Sequence, residues 1–171
     1  MRSFQDFYRQ LLKKASQSTV LSIKGRKKTI KAMVRLTSKN YLSYGKDGEY
    51  VKVFFADGSF LLLVPADQEC YYADKIVRHV REIPDNVIGK KKELTYKGKT
   101  YRLDNANDYQ YVLQVHVGSP EECEGEVKFS DYMPVTGPKE FLSLGWSMRT
   151  GKRDDINPQI ISNEAVEIVK L

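Results

Sequence analysis

The spacing of apolar residues changes near residue 18, and this change constrains the fold of the chain more than any other feature. Before that point, apolar side chains recur at the spacing of one helical face, at Phe4, Phe7, Tyr8, Leu11, Leu12 and Ala15. After it, apolar and polar residues alternate with a period of two, which is typical of half-buried strands. The pattern predicts a mainly β (α+β) fold, with a basic amphipathic helix over residues 1–17 and one β-rich domain over residues 18–171.

The first segment carries helix signals at both ends. Ser3 is a suitable N-cap, and Asp6 follows three residues later, in a capping-box arrangement at the positive end of the helix dipole. Lys13 and Lys14 lie in the last turn, where cations are favoured. We expect the helix to end between Ala15 and Gln17.

Two hairpins stand out in the β-rich segment. The first joins residues 50–55 to 60–64 through Asp57-Gly58, and the second joins 94–96 to 100–103 through Lys97-Gly98-Lys99. Further strands are expected at 20–23, 30–36, 75–83, 109–117, 127–132, 141–148 and 165–169, although 75–83 could also be helical. About ten short, evenly spaced strands predict a single β-barrel or sandwich.

Positive charge is concentrated at the start of the chain. Residues 1–39 contain eleven Lys or Arg and one acid, whereas residues 40–171 contain seventeen bases and twenty-one acids, so the net charge of +6 hides two parts of opposite sign. Such asymmetry indicates an anionic partner. The candidate binding residues are Arg9, Lys13, Lys14, Lys24, Arg26, Lys27, Lys28, Lys31 and Arg35; we call this set the basic arm.

Three anionic surfaces could meet the basic arm. In the preferred interpretation, the chain is a non-catalytic binding or adaptor protein at a membrane or envelope-associated partner, and Phe4, Phe7, Leu11 and Leu12 enter the membrane interface. Alternatively, the residues from Lys24 to Arg35 contact nucleic-acid phosphates. The arm could also meet the protein's own acidic loop at 121–126. Burial of Phe4, Phe7 and Leu11 against the domain would remove most of the membrane interpretation.

No catalytic motif emerges, although an enzyme of unrecognised class remains an alternative. Gly98-Lys99-Thr100 matches the end of a phosphate-binding loop, but Glu93 stands where the motif requires glycine, and the flanks predict a hairpin. The charged run from Arg149 to Asp155 is expected to be a solvated loop. No catalytic residues are therefore assigned.

Metal ligands and cofactors are not predicted either. Cys70, His79, His116 and Cys123 are the soft ligands of the chain, but none of them form the closely spaced pairs that are typical of structural zinc sites. Two cysteines are too few for a disulfide framework, which favours a reducing compartment. No apolar run has the length of a signal peptide or of a membrane span, about 20 residues. We expect a cytoplasmic protein, or one peripheral to the inner face of the membrane.

Residues 40–170 resemble uncharacterised β-rich bacterial domains whose genes tend to lie beside membrane-stress and envelope genes. The resemblance rests on the pattern of the 49–64 hairpin, the stretch from Ile88 to Leu103, and the block from Phe141 to Trp146. It implies a β fold and a non-catalytic accessory role, and it supplies no site residues.

Overall fold

The computed structural model describes residues 3–40, 48–76 and 80–171, which form one α-helix and twelve β-strands. The helix is α1 (Phe4–Lys14). The strands are β1 (Val20–Ile23), β2 (Arg26–Ser38), β3 (Glu49–Phe55), β4 (Phe60–Val64), β5 (Glu69–Ala73), β6 (Glu93–Tyr96), β7 (Lys99–Val117), β8 (Val127–Pro134), β9 (Leu142–Ser147), β10 (Arg153–Ile156), β11 (Gln159–Ile161) and β12 (Val166–Lys170). The predicted mainly β fold with one N-terminal helix is confirmed.

All twelve strands belong to one antiparallel sheet. Its main path runs β10-β9-β8-β7-β2-β3-β4-β5-β11, while β6 pairs with β7, and β1 pairs with both β2 and β12. Among the described residues, the continuous ladders do not close the sheet on itself. A single bridge between Glu140 and Gln159 joins β11 to the segment before β9.

Helix α1 is docked on the sheet. The Ser3 hydroxyl accepts a hydrogen bond from the Asp6 amide at 3.2 Å, as the capping pattern predicts. Phe4, Phe7 and Leu11 are at most 3% exposed, in one core cluster with residues of β1 to β5. The apolar stripe of the helix is therefore satisfied by the protein's own sheet.

The tight turns follow the sequence signals. In the β1–β2 turn, Lys24 and Gly25 have φ angles of 53° and 79°, and in the β6–β7 turn, Lys97 and Gly98 have 50° and 74°. Two consecutive positive φ angles match the right-handed twist of a two-residue hairpin, and glycine adopts the second one without steric cost.

Several strands differ from the predictions. The segment 99–117 is one long strand rather than two, and β5, β10 and β11 were not predicted, because they are short and lack a clear alternation. The expected strand over 75–83 is wrong for the residues described there, which form bends and turns, and residues 77–79 lie outside the described part.

The two faces of the sheet have different neighbours. On β3 and β4, the odd-numbered Val51, Val53, Leu61 and Leu63 pack towards α1. On β8 and β9, the even-numbered Tyr132, Leu142 and Leu144 pack against a second cluster that includes Val80, Ile83, Ile88 and Leu94. Because side chains alternate along strands, the intervening residues of both strand pairs face the opposite side.

A candidate ligand cavity inside the sheet

The intervening residues of β3, β4, β8 and β9 line one cavity of about 340 Å³. This volume lies within the range of small-molecule sites, about 300–1,000 Å³. Its apolar wall comprises Leu62, Val64, Val127, Phe129, Phe141, Ile156 and Pro158, and its polar wall includes Tyr50, Lys52, Gln110, Glu124, Asp131, Ser143, Ser147 and Asp154.

A hydrogen-bonded polar network forms part of the wall. The Lys52 ammonium lies 2.6 Å from Glu124 Oε1, and both side chains are largely buried. Gln110 Nε2 donates to the same carboxylate oxygen at 3.0 Å, and the Tyr50 hydroxyl donates to Gln110 Oε1 at 2.8 Å. Paired in this way, the charge of Lys52 is compensated within the protein.

Asp131 is a second polar feature of the cavity and has a different environment. It stands opposite Ser143 in the β8–β9 ladder, half-buried, and the Ser143 hydroxyl is its hydrogen-bond partner. Among the described residues, none of the ion pairs includes Asp131. Burial raises the pKa of this carboxyl to about 7, against the smaller opposing effects of Ser143 and Lys52.

A buried ion-pair network connects β10, one of the strands that line the cavity, to residues 80–85. Arg153 on β10 is 7% exposed; it donates to Asp155 at 3.0 Å, to Asp85 at 2.9 Å and to the Ile83 carbonyl at 2.6 Å. The Val80 amide donates to Asp155 at 2.7 Å. The prediction of a solvated loop is therefore wrong at this point: these contacts tie residues 80–85 to β10, whose alternate residues line the cavity.

A second polar cluster lies beside the Glu140–Gln159 bridge. Glu140 is 3% exposed and accepts hydrogen bonds from Tyr101, from Lys99 at 3.1 Å and from Asn157 at 3.2 Å. Burial alone would raise its pKa, but these donors outweigh that effect and lower the pKa of Glu140. They fix the segment that contributes Phe141 and Pro158 to the cavity.

The basic arm is mostly on the surface. Arg9, Lys13, Lys14, Lys24, Arg26, Lys27 and Lys31 are exposed, and Arg9 has a 3.5 Å contact with Asp6. The remaining two are half-buried and paired, Lys28 with Asp57 at 2.5 Å and Arg35 with Glu49 at 3.0 Å. The ammonium groups of Lys24 and Lys28 both lie within 6 Å of the Tyr72 ring, at 5.9 and 5.6 Å, so the hairpin turn carries a compact group of cations.

The acidic loop is only partly a counterpart of that arm. Glu124 pairs with Lys52, which lies outside the basic arm. Glu122 accepts hydrogen bonds from the amide and hydroxyl of Ser119, and these, with a smaller effect of the Lys31 charge, lower the pKa of Glu122.

The soft ligands are not brought together. Cys70 and Cys123 are free, buried, and packed in different core clusters. Burial lowers the pKa of His116, and its Nε2 has no hydrogen-bond partner in the described part of the chain. His79 lies outside the described residues. Within residues 3–40, 48–76 and 80–171, no group of three or more His, Cys, Asp or Glu could hold a metal ion.

The cavity residues were missed at the sequence level, although a signal was present. Lys52 lies between Tyr50 and Phe54 on one face of its strand, and Asp131 lies between Phe129 and Met133 on the same kind of apolar face. A single charge within an otherwise apolar strand face indicates a polar group turned inwards.

Comparison of the chain with protein-family models, curated proteins and solved structures finds no match. The resemblance to β-rich bacterial domains therefore stays an expectation. Within the described residues, no helix combines the length and the apolar character needed to cross a membrane.

Proposed function

We propose that this protein is a small-molecule-binding protein whose ligand occupies the cavity between the two halves of the sheet. The cavity itself carries the proposal: about 340 Å³, largely apolar, with a few polar groups that converge on it. As part of the same proposal, the sheet curves into a barrel-like arrangement, and the Glu140–Gln159 bridge brings its last strand next to the start of β9.

A neutral probe tests this function. We expect 4-phenylbutanol to bind once per chain, measured by isothermal titration calorimetry, and to raise the midpoint of thermal unfolding. At a free concentration of 100 times Kd, the stabilisation should be about 2.7 kcal/mol.

A pair of matched variants locates the binding site. Val64→Trp should weaken binding at least about tenfold, because Val64 lines the cavity and an indole would fill part of it. Val169→Trp makes the same change on an exposed position of β12 and should leave binding unchanged. Equal affinity of both variants would refute the proposal, and so would failure of the wild type to bind the alcohol and also its amine and carboxylate analogues.

A second function, binding of the basic arm to an anionic surface, is supported by the exposed cations at the β1–β2 turn. Lys24, Arg26 and Lys27 are exposed there, next to the paired Lys28. A membrane partner would have to meet these charges without Phe4, Phe7 and Leu11, which are buried beneath the helix. Point charges on a surface suit phosphates of either nucleic acid or lipid headgroups.

Two triple variants test this second function. For nucleic-acid binding, the logarithm of affinity should fall linearly with the logarithm of salt concentration. Changing Lys24, Arg26 and Lys27 to Ala should make this slope shallower by about two to three. The control variant changes the exposed Lys90, Lys91 and Lys92 to Ala, which removes the same amount of charge from another part of the surface. Binding to anionic vesicles, with the same difference between variants, would assign the arm to a membrane instead. Equal behaviour of the two variants on both targets would exclude the arm as a binding surface.

A further inference from the structure

The charged groups that line the cavity are mostly acidic. Two of the carboxylates have basic partners: Glu124 is paired with Lys52 at 2.6 Å and Glu49 with Arg35 at 3.0 Å. Beyond those two pairs, the lining still contains the carboxylates of Asp67 and Asp131, whereas its one ammonium, Lys52, is already paired, so the wall remains negative.

Asp131 is the cavity carboxylate that a positively charged ligand group would stabilise most. It is on the cavity face of β8 with Phe129, opposite Ser143, and its hydrogen-bond partner is a hydroxyl. An ionised carboxylate in such a place loses hydration without gaining an ion-pair partner of its own. The aromatic rings of Tyr50, Phe129 and Phe141 line the same cavity and also favour a cation.

We propose that the cavity binds an organic cation, an ammonium group on an apolar body, with Asp131 as the ionic partner of the ammonium. This inference rests on the function proposed above and specifies its ligand class. The apolar body would contact Leu62, Val64 and Ile156, and the ammonium would donate to the Asp131 carboxylate. An anionic ligand would instead meet a negative wall, since Lys52 is already paired.

The pairing makes binding depend on pH. Lys52 on β3 favours the ionised form of Asp131, whereas Asp104 and Asp108 on β7 oppose it; Glu124 and Asp154 share the cavity. Burial holds the pKa of Asp131 at about 7, while an alkyl ammonium stays charged up to pH ~10. The affinity for an amine should therefore rise between pH 5.5 and pH 8.5.

Three probes with one apolar body test the inference: 4-phenylbutylamine, 4-phenylbutanol and 4-phenylbutanoate, titrated calorimetrically at pH 5.5 and 8.5. At pH 8.5 we expect the amine to bind at least about tenfold more tightly than the alcohol, and the carboxylate more weakly than either. Asp131→Asn should abolish the preference for the amine while retaining the alcohol. Asp74→Asn, at an exposed position outside the cavity, should keep the preference.

The outcomes separate the two proposals. If the alcohol binds in the cavity but the amine has no advantage, or if Asp131→Asn keeps that advantage, the cation assignment is wrong and the binding function stands. If none of the three probes binds, the binding function fails and the assignment fails with it.

Discussion

Replacing Asp131 by Asn should stabilise the protein at alkaline pH and have much less effect at acid pH. Burial raises the pKa of this carboxyl from 3.8 to about 7, so the folded protein holds the proton more tightly than the unfolded chain does. The stabilising contribution of the protonated group is complete below pH 3.8 and is lost as the pH rises through about 7. Asn keeps the size of the side chain and carries no charge at any pH.

The magnitude follows from the same pKa change. A rise from 3.8 to about 7 corresponds to an upper limit of about 4 kcal/mol, at about 1.4 kcal/mol per pKa unit. Asp131 is half-buried and faces a cavity that water can enter, which reduces the effect. We expect Asp131→Asn to raise the free energy of unfolding by about 2 kcal/mol at pH 8.5 and by less than about 0.5 kcal/mol at pH 4.5.

Urea unfolding, followed by the fluorescence of the single tryptophan, Trp146, measures this at both pH values. The slope of the free energy against urea should be the same for both proteins, so that a shift in midpoint reports stability alone. Asp67→Asn serves as control, because it removes the same charge at an exposed position. An equal gain at both pH values, or no gain at pH 8.5, would refute the electrostatic argument.

Three further predictions concern the helix, the ion-pair network and the histidine, all measured by urea unfolding. Phe7→Ala should cost about 3–5 kcal/mol because the ring is 2% exposed under α1, whereas Tyr111→Ala, on the exposed part of β7, should cost less than about 1 kcal/mol; similar costs would contradict the docking. Arg153→Met should cost about 3–5 kcal/mol by removing the cation that contacts the buried Asp155 carboxylate, and the exposed Arg149→Met should cost little. A tolerated Arg153→Met would show that the network is dispensable. Burial, aided by the Arg35 charge, lowers the pKa of His116, so the stabilising contribution of the neutral imidazole is present above pH 6.5 and is lost as the pH falls. His116→Gln should reduce the decrease in unfolding free energy on the acid side. An unchanged pH profile of stability would disprove the role of His116.

Local signals predicted the elements that local interactions determine. The cap at Ser3, the Asp57-Gly58 and Lys97-Gly98 turns, and the strands around them depend on residues a few positions apart, so the sequence pattern was enough. Strand β11 depends instead on pairing with β5, a distant segment, and its three residues carry too little pattern to be found alone.

Charged residues show why the candidate site could not be predicted. In the sequence, Arg153 and Asp155 belong to a charged run that is usually solvated, and only contacts with residues 80–85 reveal that they are buried. Lys52 and Asp131 line the same cavity, although their strands are far apart in the chain. Which strand faces come together is a property of the sheet path, and no local pattern contains it.

The pairing of β1 with β12 sets a limit on how fast this protein can fold. Ile23 pairs with Arg26 in a local hairpin and with Val166 across almost the whole chain. A contact of such long range forms late, because closing the long intervening loop costs conformational entropy. Proteins rich in such contacts fold in milliseconds to seconds. During synthesis, the edge of β1 that binds β12 stays unpaired until β12 has left the ribosome, so the growing chain is open to edge-to-edge association with its neighbours while the intervening strands are made.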